Sequence, residues 1–300
     1  MSDSNKKLSM IINPCAGTKR IRNVLVDVLN KFNRAGYECI TYITAAHGDA
    51  TGYAASHCGN SDLVVCSGGD GTLNEVINGL RQGGIDVPIG YIPAGSTNDF
   101  ANSLSISSDI MTAVDDIING KPQTYDLGLI DNSYFSYVVS VGAFTKTTYT
   151  TPQNLKNILG HAAYVLEGIK DLASISPMHL KLDCAEGKQF EGDYIFGAVC
   201  NSTSLGGVLT LDPNVVDMND GLFELLFIRS PKNLDELLRI TNALTRKKYD
   251  CELLDFVSTS GVTVTCDHPL DWTLDGELCS CGETAVISNI RDAVRIMVNK

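Results

Sequence analysis

The stretch Ser67-Gly68-Gly69-Asp70-Gly71-Thr72-Leu73-Asn74-Glu75 has the residue types needed to hold a phosphate. Glycine lets a backbone approach an anion closely. The N–H groups at a helix start attract one. An apolar, β-branched run over 63–66 precedes the stretch, the pattern of a buried parallel strand. Behind it Leu73, Val76, Ile77 and Leu80 recur at helical spacing as far as Gly83-Gly84. Thr72 and Glu75 read as a T-x-x-E capping box at the start of that helix. The glycines therefore belong to a strand-to-helix turn with Asp70 in its middle. A carboxylate beside bound phosphate is repelled unless it holds a metal, orients a donor or takes a proton. Taken alone, the stretch equally describes a tight turn whose Asp helps to cap the helix.

Two further loops of small polar residues change that balance. Asn13-Pro14-Cys15-Ala16-Gly17 follows a strand over 8–12, and Pro93-Ala94-Gly95-Ser96-Thr97-Asn98-Asp99-Phe100 follows one over 87–92. Phosphoryl transfer needs a phosphate cradle, a divalent metal and a group that orients or deprotonates the acceptor. Walker A and Rossmann glycine patterns are both absent, so the 68–72 turn would have to serve as the cradle. Carboxylates suited to Mg²⁺ stand at Asp99, Asp126, Asp217, Asp220, Asp275 and Glu277. Each could be an ordinary turn residue; their positions argue against all of them being so.

The elements that must position these groups alternate through the first part of the chain. Strands over 8–12, 37–43, 63–66 and 87–92 are separated by helices, one of them striped by Ile21, Val24, Leu25, Val28, Leu29 and Phe32. That rhythm predicts an α/β domain with a parallel sheet covered on both faces, over residues 1–125. Ligands of such sheets sit beyond the carboxyl ends of the strands, where the three loops fall. From 126 to 300 the pattern is mostly strand-like, at 125–130, 134–141, 178–184, 194–199, 222–228, 262–266, 270–274 and 294–298, with helices near 155–172 and 234–247. This predicts a second, β-rich sandwich domain. A cleft between the two domains is where a lipid hydroxyl would meet a terminal phosphate. Phe144, Tyr149, Tyr164, Val165 and Ile169 are acyl-wall candidates that helical spacing explains as well by core packing. His161 reads as a polar surface or cap residue, and Gly206-Gly207 as a turn near the acidic 211–221 loop.

Bulk properties narrow the class. Three hundred residues, 44% hydrophobic and 19% charged, bury a sizeable core, and two domains suit that length. A net charge of −12 argues against nucleic acid as a partner and against strong adhesion to anionic membranes. Ten cysteines show no zinc spacing, only a C-x-C at Cys279-Ser280-Cys281, and read as reduced thiols in a cytoplasmic protein. No apolar run approaches a membrane span and no signal peptide is recognisable. A lipid substrate would be reached by transient contact with the membrane surface. Nothing in the sequence excludes a homodimer.

The ordered motifs resemble those of the diacylglycerol kinase catalytic-domain family of soluble lipid kinases, which includes sphingosine kinases and bacterial diacylglycerol kinases. The likeness runs almost end to end. It rests on Ile12-Asn13-Pro14-x-x-Gly17, Gly48-Asp49-Ala50, Gly68-Gly69-Asp70-Gly71-Thr72-x-Asn74-Glu75, the 93–100 loop, Asp126-Leu127-Gly128, Asp220-Gly221-x-x-Glu224-Leu225 and Leu274-Asp275-Gly276-Glu277. The G-G-D-G-T motif alone is shared with NAD kinases and phosphofructokinases. The resemblance implies an NAD-kinase-like first domain, ATP bound by Asn13, Pro14, Cys15, Ala16, Gly17, Thr44, Gly68 to Glu75 and Thr97, and Mg²⁺ held by Asp217, Asp220 and Leu222. It implies that Asp275 and Glu277 are essential, one of them the base and Glu277 slightly ahead. Asp70, Asp99 and Asp126 would form a supporting carboxylate network, with Asp70, by its place in the phosphate cradle, also expected to be catalytic. Cys15-Ala16 departs from the commoner small hydroxyl pair, and few residues follow the D-G-E motif, so the return of the chain to the first domain is expected to be short or missing. The leading expectation is an ATP- and Mg-dependent lipid kinase acting on diacylglycerol or a related lipid. The alternatives are an NAD kinase-like enzyme and a nucleotide- or lipid-binding regulator without turnover.

Overall fold

A computed structural model of the protein describes residues 6–17, 20–142, 176–205 and 209–299. The expected helix over 155–172, the acyl-wall candidates Phe144, Tyr149, Tyr164, Val165 and Ile169, His161 and the Gly206-Gly207 turn lie outside the described residues. The chain packs as two compact units, Met1–Leu127 with Arg291–Lys300, and Gly128–Ile290.

The first unit is a parallel sheet with helices. Its strands are β1 (Lys6–Ile12), β2 (Tyr37–Ile43), β3 (Leu63–Gly68) and β4 (Ile89–Pro93), in the order β2-β1-β3-β4. Every pair is parallel. All residues of β3 and β4 are buried, which is why both read as unbroken apolar runs rather than alternating ones. The connecting helices are α1 (Ile21–Arg34), α2 (Asp49–His57), α3 (Asp70–Gln82), α4 (Asp99–Ser103) and α5 (Ile110–Asn119). Helix α1 buries Ile21, Val28 and Phe32 in the same cluster as Leu8, Met10, Val65 and Ile92. Each such side chain stabilises the unit by roughly 1.5–3 kcal/mol relative to exposure. Phe32→Ala, removing a ring with no exposed surface, would cost about 3–5 kcal/mol.

The second unit is antiparallel. The strands β5 (Lys121–Ile130) and β6 (Ser133–Phe135) form a hairpin through residues 128–130 and 133–135. They are followed by β7 (Val138–Gly142), β8 (Met178–Cys184), β9 (Gln189–Cys200), the short pair β10 (Ser204–Leu205) and β11 (Leu209–Thr210), and β12 (Phe223–Arg229). Helix α6 (Leu234–Thr245) precedes β13 (Leu254–Thr259), β14 (Gly261–Cys266), β15 (Leu270–Leu274), β16 (Glu277–Cys281) and β17 (Thr284–Val298). The ladder runs β16-β15-β7-β9-β8-β14-β17, and β12 pairs with β9 and β13. Its core gathers Phe135, Val199, Phe223, Phe227 and Trp272.

Three sequence readings change. The second segment, read as continuous to residue 300, ends at Ile290, and the return to the first unit is the short one of the two expected alternatives, Arg291–Lys300. There Ile296 pairs in parallel with Ile89, and Arg295 Nε donates to Asp86 Oδ1 at 3.0 Å. The 99–103 helix stands where a loop was read. The capping box does not form: α3 starts at Asp70, two residues before Thr72, with Gly69 as its N-cap.

Candidate active site

Three loops share the carboxyl edge of the first unit's sheet because β1, β3 and β4 are parallel neighbours in register. Their ends are tied directly: Asn13 N–H donates to the Ser67 carbonyl at 2.8 Å, Ala94 N–H to Gly68 at 2.7 Å, and Thr44 N–H to Ile12 at 2.9 Å. The first loop is fixed by the Asn13 side chain. Its Oδ1 accepts from Cys15 N–H at 2.9 Å, and its Nδ2 donates to Thr72 Oγ1 at 3.0 Å. The third loop is fixed by Asn98, whose Oδ1 accepts from Gly95 N–H and whose Nδ2 donates to the Gly95 carbonyl.

Glycines set how closely the loops meet. A Cβ on Gly17, where φ is +46°, would lie 2.3 Å from the Ala94 carbonyl oxygen. One on Gly95 would lie 2.6 Å from the Gly69 Cα. Both distances are below any real Cβ contact, so the edge forms a backbone-lined surface that only glycine permits. Pro14, Cys15, Ala16 and Thr97 are part-buried or exposed along that edge.

Asp70 is 7% exposed, and its carboxylate reaches across to α4. Oδ2 accepts from Asp99 N–H at 3.0 Å and Oδ1 from Phe100 N–H at 3.3 Å. The carboxylate thus binds the second loop to the third and turns its charge toward N–H donors. Asp99 is 2% exposed beside it. Asp126, fully buried, accepts from Asp292 N–H at 2.9 Å, a different anchor within the same unit.

Other residues of the motif have structural work. Leu73 is fully buried, and its N–H donates to the Gly69 carbonyl. Gly71 lies in the first turn of α3. Asn74 Oδ1 accepts from Asn78 Nδ2. Glu75, instead of capping α3, caps α2: its Oε1 accepts from Gly48 N–H at 2.9 Å and Oε2 from Ala50 N–H at 3.1 Å. His47 Nδ1 lies 3.0 Å from the same carboxylate.

In the second unit Asp275-Gly276 joins β15 to β16, and Leu274 faces Glu277 across the hairpin. Both turn residues have positive φ, 47° and 91°, the signature of a two-residue type I′ turn. The turn thus separates Asp275 from Glu277, which starts β16. Asp275 is 4% exposed and tied to the segment before β7. Its Oδ2 accepts from Ser136 N–H at 2.6 Å and Ser136 Oγ at 2.7 Å, and its Oδ1 from Tyr137 and Val138 N–H at 3.0 and 3.1 Å. Burial pushes its carboxyl pKa up, and the four donors pull against that. Asn201, 1% exposed, holds the same segment from another side, with its N–H donating to the Tyr137 carbonyl and its Nδ2 to Ser136. Sequence reasoning missed Ser136 and Asn201, since nothing local marks residues that act on a hairpin far along the chain. Glu277 is half-buried.

The metal candidates lie between β11 and β12. Asp217 and Asp220 are exposed, and each folds the loop locally: Asp217 Oδ1 accepts from Asn219 N–H at 3.1 Å and Asp220 Oδ1 from Leu222 N–H at 2.9 Å. The Leu222 carbonyl accepts from Asn289 Nδ2 at 3.2 Å. Behind them Glu224 is 2% exposed. Burial first, and then the negative charges of Asp220 and Asp217, push its pKa up to about 7. Ser258 Oγ donates to its Oε1 at 3.3 Å, while its buried Oε2 has no hydrogen-bond partner among the described residues. The three carboxyl groups repel one another, but among the described residues their oxygens do not converge to within 4.8 Å, so a cation there would have to draw the loop together. Glu224 belongs to the acidic set, a role the sequence reading left unassigned.

Comparison with known proteins agrees with this layout. The model of the diacylglycerol kinase catalytic domain matches residues 7–130, and that of the YegS C-terminal NAD kinase beta sandwich-like domain matches residues 137–297. Together they define a two-part kinase: an α/β domain followed by an NAD-kinase-type β-sandwich. A diacylglycerol kinase of Bacillus subtilis (strain 168) is 37% identical over 276 residues, covering 91% of this chain and 90% of the relative. One from Staphylococcus aureus (strain MRSA252) is 34% identical over 91% of this chain and 86% of its own. A crystal structure of a diacylglycerol kinase from Bacillus anthracis str. Sterne superposes with a TM-score of 0.77 at 20% identity, over 100% of this chain and 98% of that one, a likeness of fold. The chain belongs to the diacylglycerol kinase catalytic-domain family, and it is an enzyme of the lipid-kinase class.

Proposed function

We propose that the protein transfers the γ-phosphate of ATP, with Mg²⁺, to the hydroxyl of diacylglycerol or a closely related lipid. The observation that carries this reading is the glycine-lined edge where the 13–17, 68–70 and 93–98 loops meet too closely for any side chain at Gly17 or Gly95. Backbone N–H groups on such a surface suit phosphate oxygens. Asn13 to Gly17, Thr44, Gly68 to Glu75 and Thr97 line the ATP site in this reading, with Leu73, Thr72 and Glu75 shaping it from behind. Asp70 and Asp99 keep the loops in register, and Asp126 fixes the chain's return at Asp292. A divalent cation held by Asp217, Asp220 and the Leu222 carbonyl, with Glu224 behind them, neutralises the acidic loop when bound. Glu277 orients the acceptor hydroxyl and takes its proton, from a position that Asp275 sets through the hairpin.

The names of the relatives support diacylglycerol as the acceptor. The net charge of −12 means that contact with the lipid surface is brief and does not rest on bulk attraction to anionic headgroups. Among the described residues, no helix is long and apolar enough to cross a membrane. The test is a thin-layer assay with labelled ATP over diacylglycerol, a sphingoid base, ceramide, phosphatidylglycerol and NAD. Label in phosphatidic acid, dependent on Mg²⁺, is expected. Label in NADP, or in no product, would overturn the reading.

A further inference from the structure

The turn between β14 and β15 holds a second group of ligand atoms, of a different chemical kind from the acidic loop. Cys266 Sγ lies 3.5 Å from Asp267 Oδ1 and 3.5 Å from His268 Nδ1, and the latter two atoms are 2.6 Å apart. Thiol, carboxylate and imidazole atoms converge within 4.8 Å of one another. We propose that Cys266, Asp267 and His268 form a three-ligand site for a borderline divalent transition ion of the Zn²⁺ type.

The distances support this directly. Tetrahedral Zn²⁺, with its bonds of about 2.3 Å to sulfur and about 2.0–2.1 Å to nitrogen and oxygen, needs sulfur-to-nitrogen and sulfur-to-oxygen edges of roughly 3.6 Å. The two observed edges to sulfur already have that length. The nitrogen-to-oxygen edge must open from its hydrogen-bonded 2.6 Å to roughly 3.3 Å, a rotation of exposed side chains. The side chains of Asp267 and His268 are 77% and 57% exposed and free to make it. Cys266 is 6% exposed and anchored: its N–H donates to the Glu283 carbonyl at 2.9 Å, and its strand is paired on both sides. One rigid sulfur with two adjustable partners gives a pre-placed ligand and an open fourth position. Burial pushes the Cys266 thiol pKa up, so in the absence of metal it keeps its proton. On binding, the thiol proton leaves to solvent, and the His268 ring takes its Nε2–H tautomer so that Nδ1 is freed of its proton. Bonds from sulfur, Nδ1 and the Asp267 oxygen to the metal replace the His268–Asp267 hydrogen bond. A thiolate and an imidazole select Zn²⁺, Co²⁺ or Ni²⁺ over Mg²⁺, which takes oxygen ligands.

The experiment uses the full chain, stripped with EDTA, exchanged into excess Mg²⁺ and titrated with Co²⁺ as a spectroscopic probe. One equivalent is expected to produce a sulfur-to-cobalt charge-transfer band, which Zn²⁺ then removes. Cys266→Ser abolishes the band. Asp267→Asn and His268→Ala, both at exposed side chains, each weaken Co²⁺ binding by at least ~10-fold, the smallest loss seen when even an outer partner of a ligand is removed. Asp220→Asn leaves the titration unchanged. The proposal is overturned if the wild type shows no such band. It is also overturned if the band survives at full affinity in the Asp267 and His268 variants, which would place it on other thiols such as Cys279 and Cys281.

Discussion

Glu224→Gln tests the acidic loop most sharply, because the chain carries its own reporter. Trp272 is the single tryptophan, 1% exposed in the core of the second unit, the unit that holds Glu224. Its fluorescence in urea therefore reports on the packing of the unit that holds Glu224. In metal-free wild type the Glu224 carboxyl titrates near 7, against 4.5 when unfolded. Below pH 4.5 both states hold the proton and the residue costs nothing. Between 4.5 and 7 the unfolded chain releases it while the folded chain keeps it, so stability falls as pH rises, by about 1.4 kcal/mol per unit. Above 7 both forms are ionised and the loss stays at about 3 kcal/mol. The amide of the variant has no proton to exchange. The difference between variant and wild type in EDTA should thus grow from its value at pH 4 by about 3 kcal/mol at pH 8. A constant offset from burying an amide NH₂ leaves that change untouched.

Mg²⁺ supplies the second half of the test. A cation at Asp217 and Asp220 cancels the charges that add to burial in holding the Glu224 proton, so it should make the wild-type pH dependence shallower. By mass action it adds about 2.7 kcal/mol of stability at a hundred times its dissociation constant. Parallel pH profiles of the two proteins in EDTA would refute the account of Glu224. A wild-type profile that ignores Mg²⁺ would refute the cation site.

Gly17→Ala places a methyl against the Ala94 carbonyl at a left-handed backbone position, so it should lower ATP affinity in calorimetry by tenfold or more while the Trp272 transition stays put; wild-type affinity would remove the close-packed cradle from the argument. Asp275→Asn puts an NH₂ where four donors need an acceptor and should destabilise the second unit by roughly 1–3 kcal/mol. Glu277→Gln should lower kcat by roughly 10²–10⁴-fold while ATP affinity in calorimetry stays near wild type. The opposite pattern, an inert Glu277 and a stable but inactive Asp275 variant, would exchange their roles. Glu186 is a separate case: burial pushes its pKa up, but hydrogen bonds from Thr259 and Ser260 prevail and hold it at about 2, against 4.5 unfolded. Its stabilisation is present above pH 4.5 and lost as pH falls toward 2, and at an exposed side chain it amounts to roughly 1 kcal/mol. Glu186→Gln should lose that much at pH 7 and nothing at pH 2; equal loss at both would refute it.

The first unit was legible because its signals are local. Strand, glycine turn and helix follow one another within about twenty residues, and the three loops share an edge once the strands are parallel. What failed there depended on partners elsewhere. Thr72 and Glu75 have capping-box spacing, but the helix begins two residues early and Glu75 finds Gly48 and Ala50 instead. In the second unit β17 runs fifteen residues from Thr284, where only 294–298 looked like strand. Ser288, Asn289, Arg291 and Asp292 break the apolar alternation where the chain passes from one unit to the other. Strands β13 and β16 were missed for a related reason: Asp255, Ser258 and Ser280 dilute their pattern, and their pairing with β12 and β15 supplies what propensity lacks.

The D-G-E motif shows where the sequence stops and geometry decides. An extended chain would place Asp275 and Glu277 on one face, while a turn at Gly276 would separate them. The positive φ angles of both Asp275 and Gly276 settle it in favour of the turn. Two carboxylates that are near neighbours in sequence then sit in unlike surroundings, which is how one motif can serve two roles. A general base must present a lone pair to its substrate. The Asp275 oxygens accept from four donors of residues 136–138, so proton uptake there would oppose the bonds that hold β7 to the hairpin. Asp275 is thereby suited to positioning, and the base role is proposed for Glu277, half-buried on the first position of β16 beside the turn that Asp275 ties down.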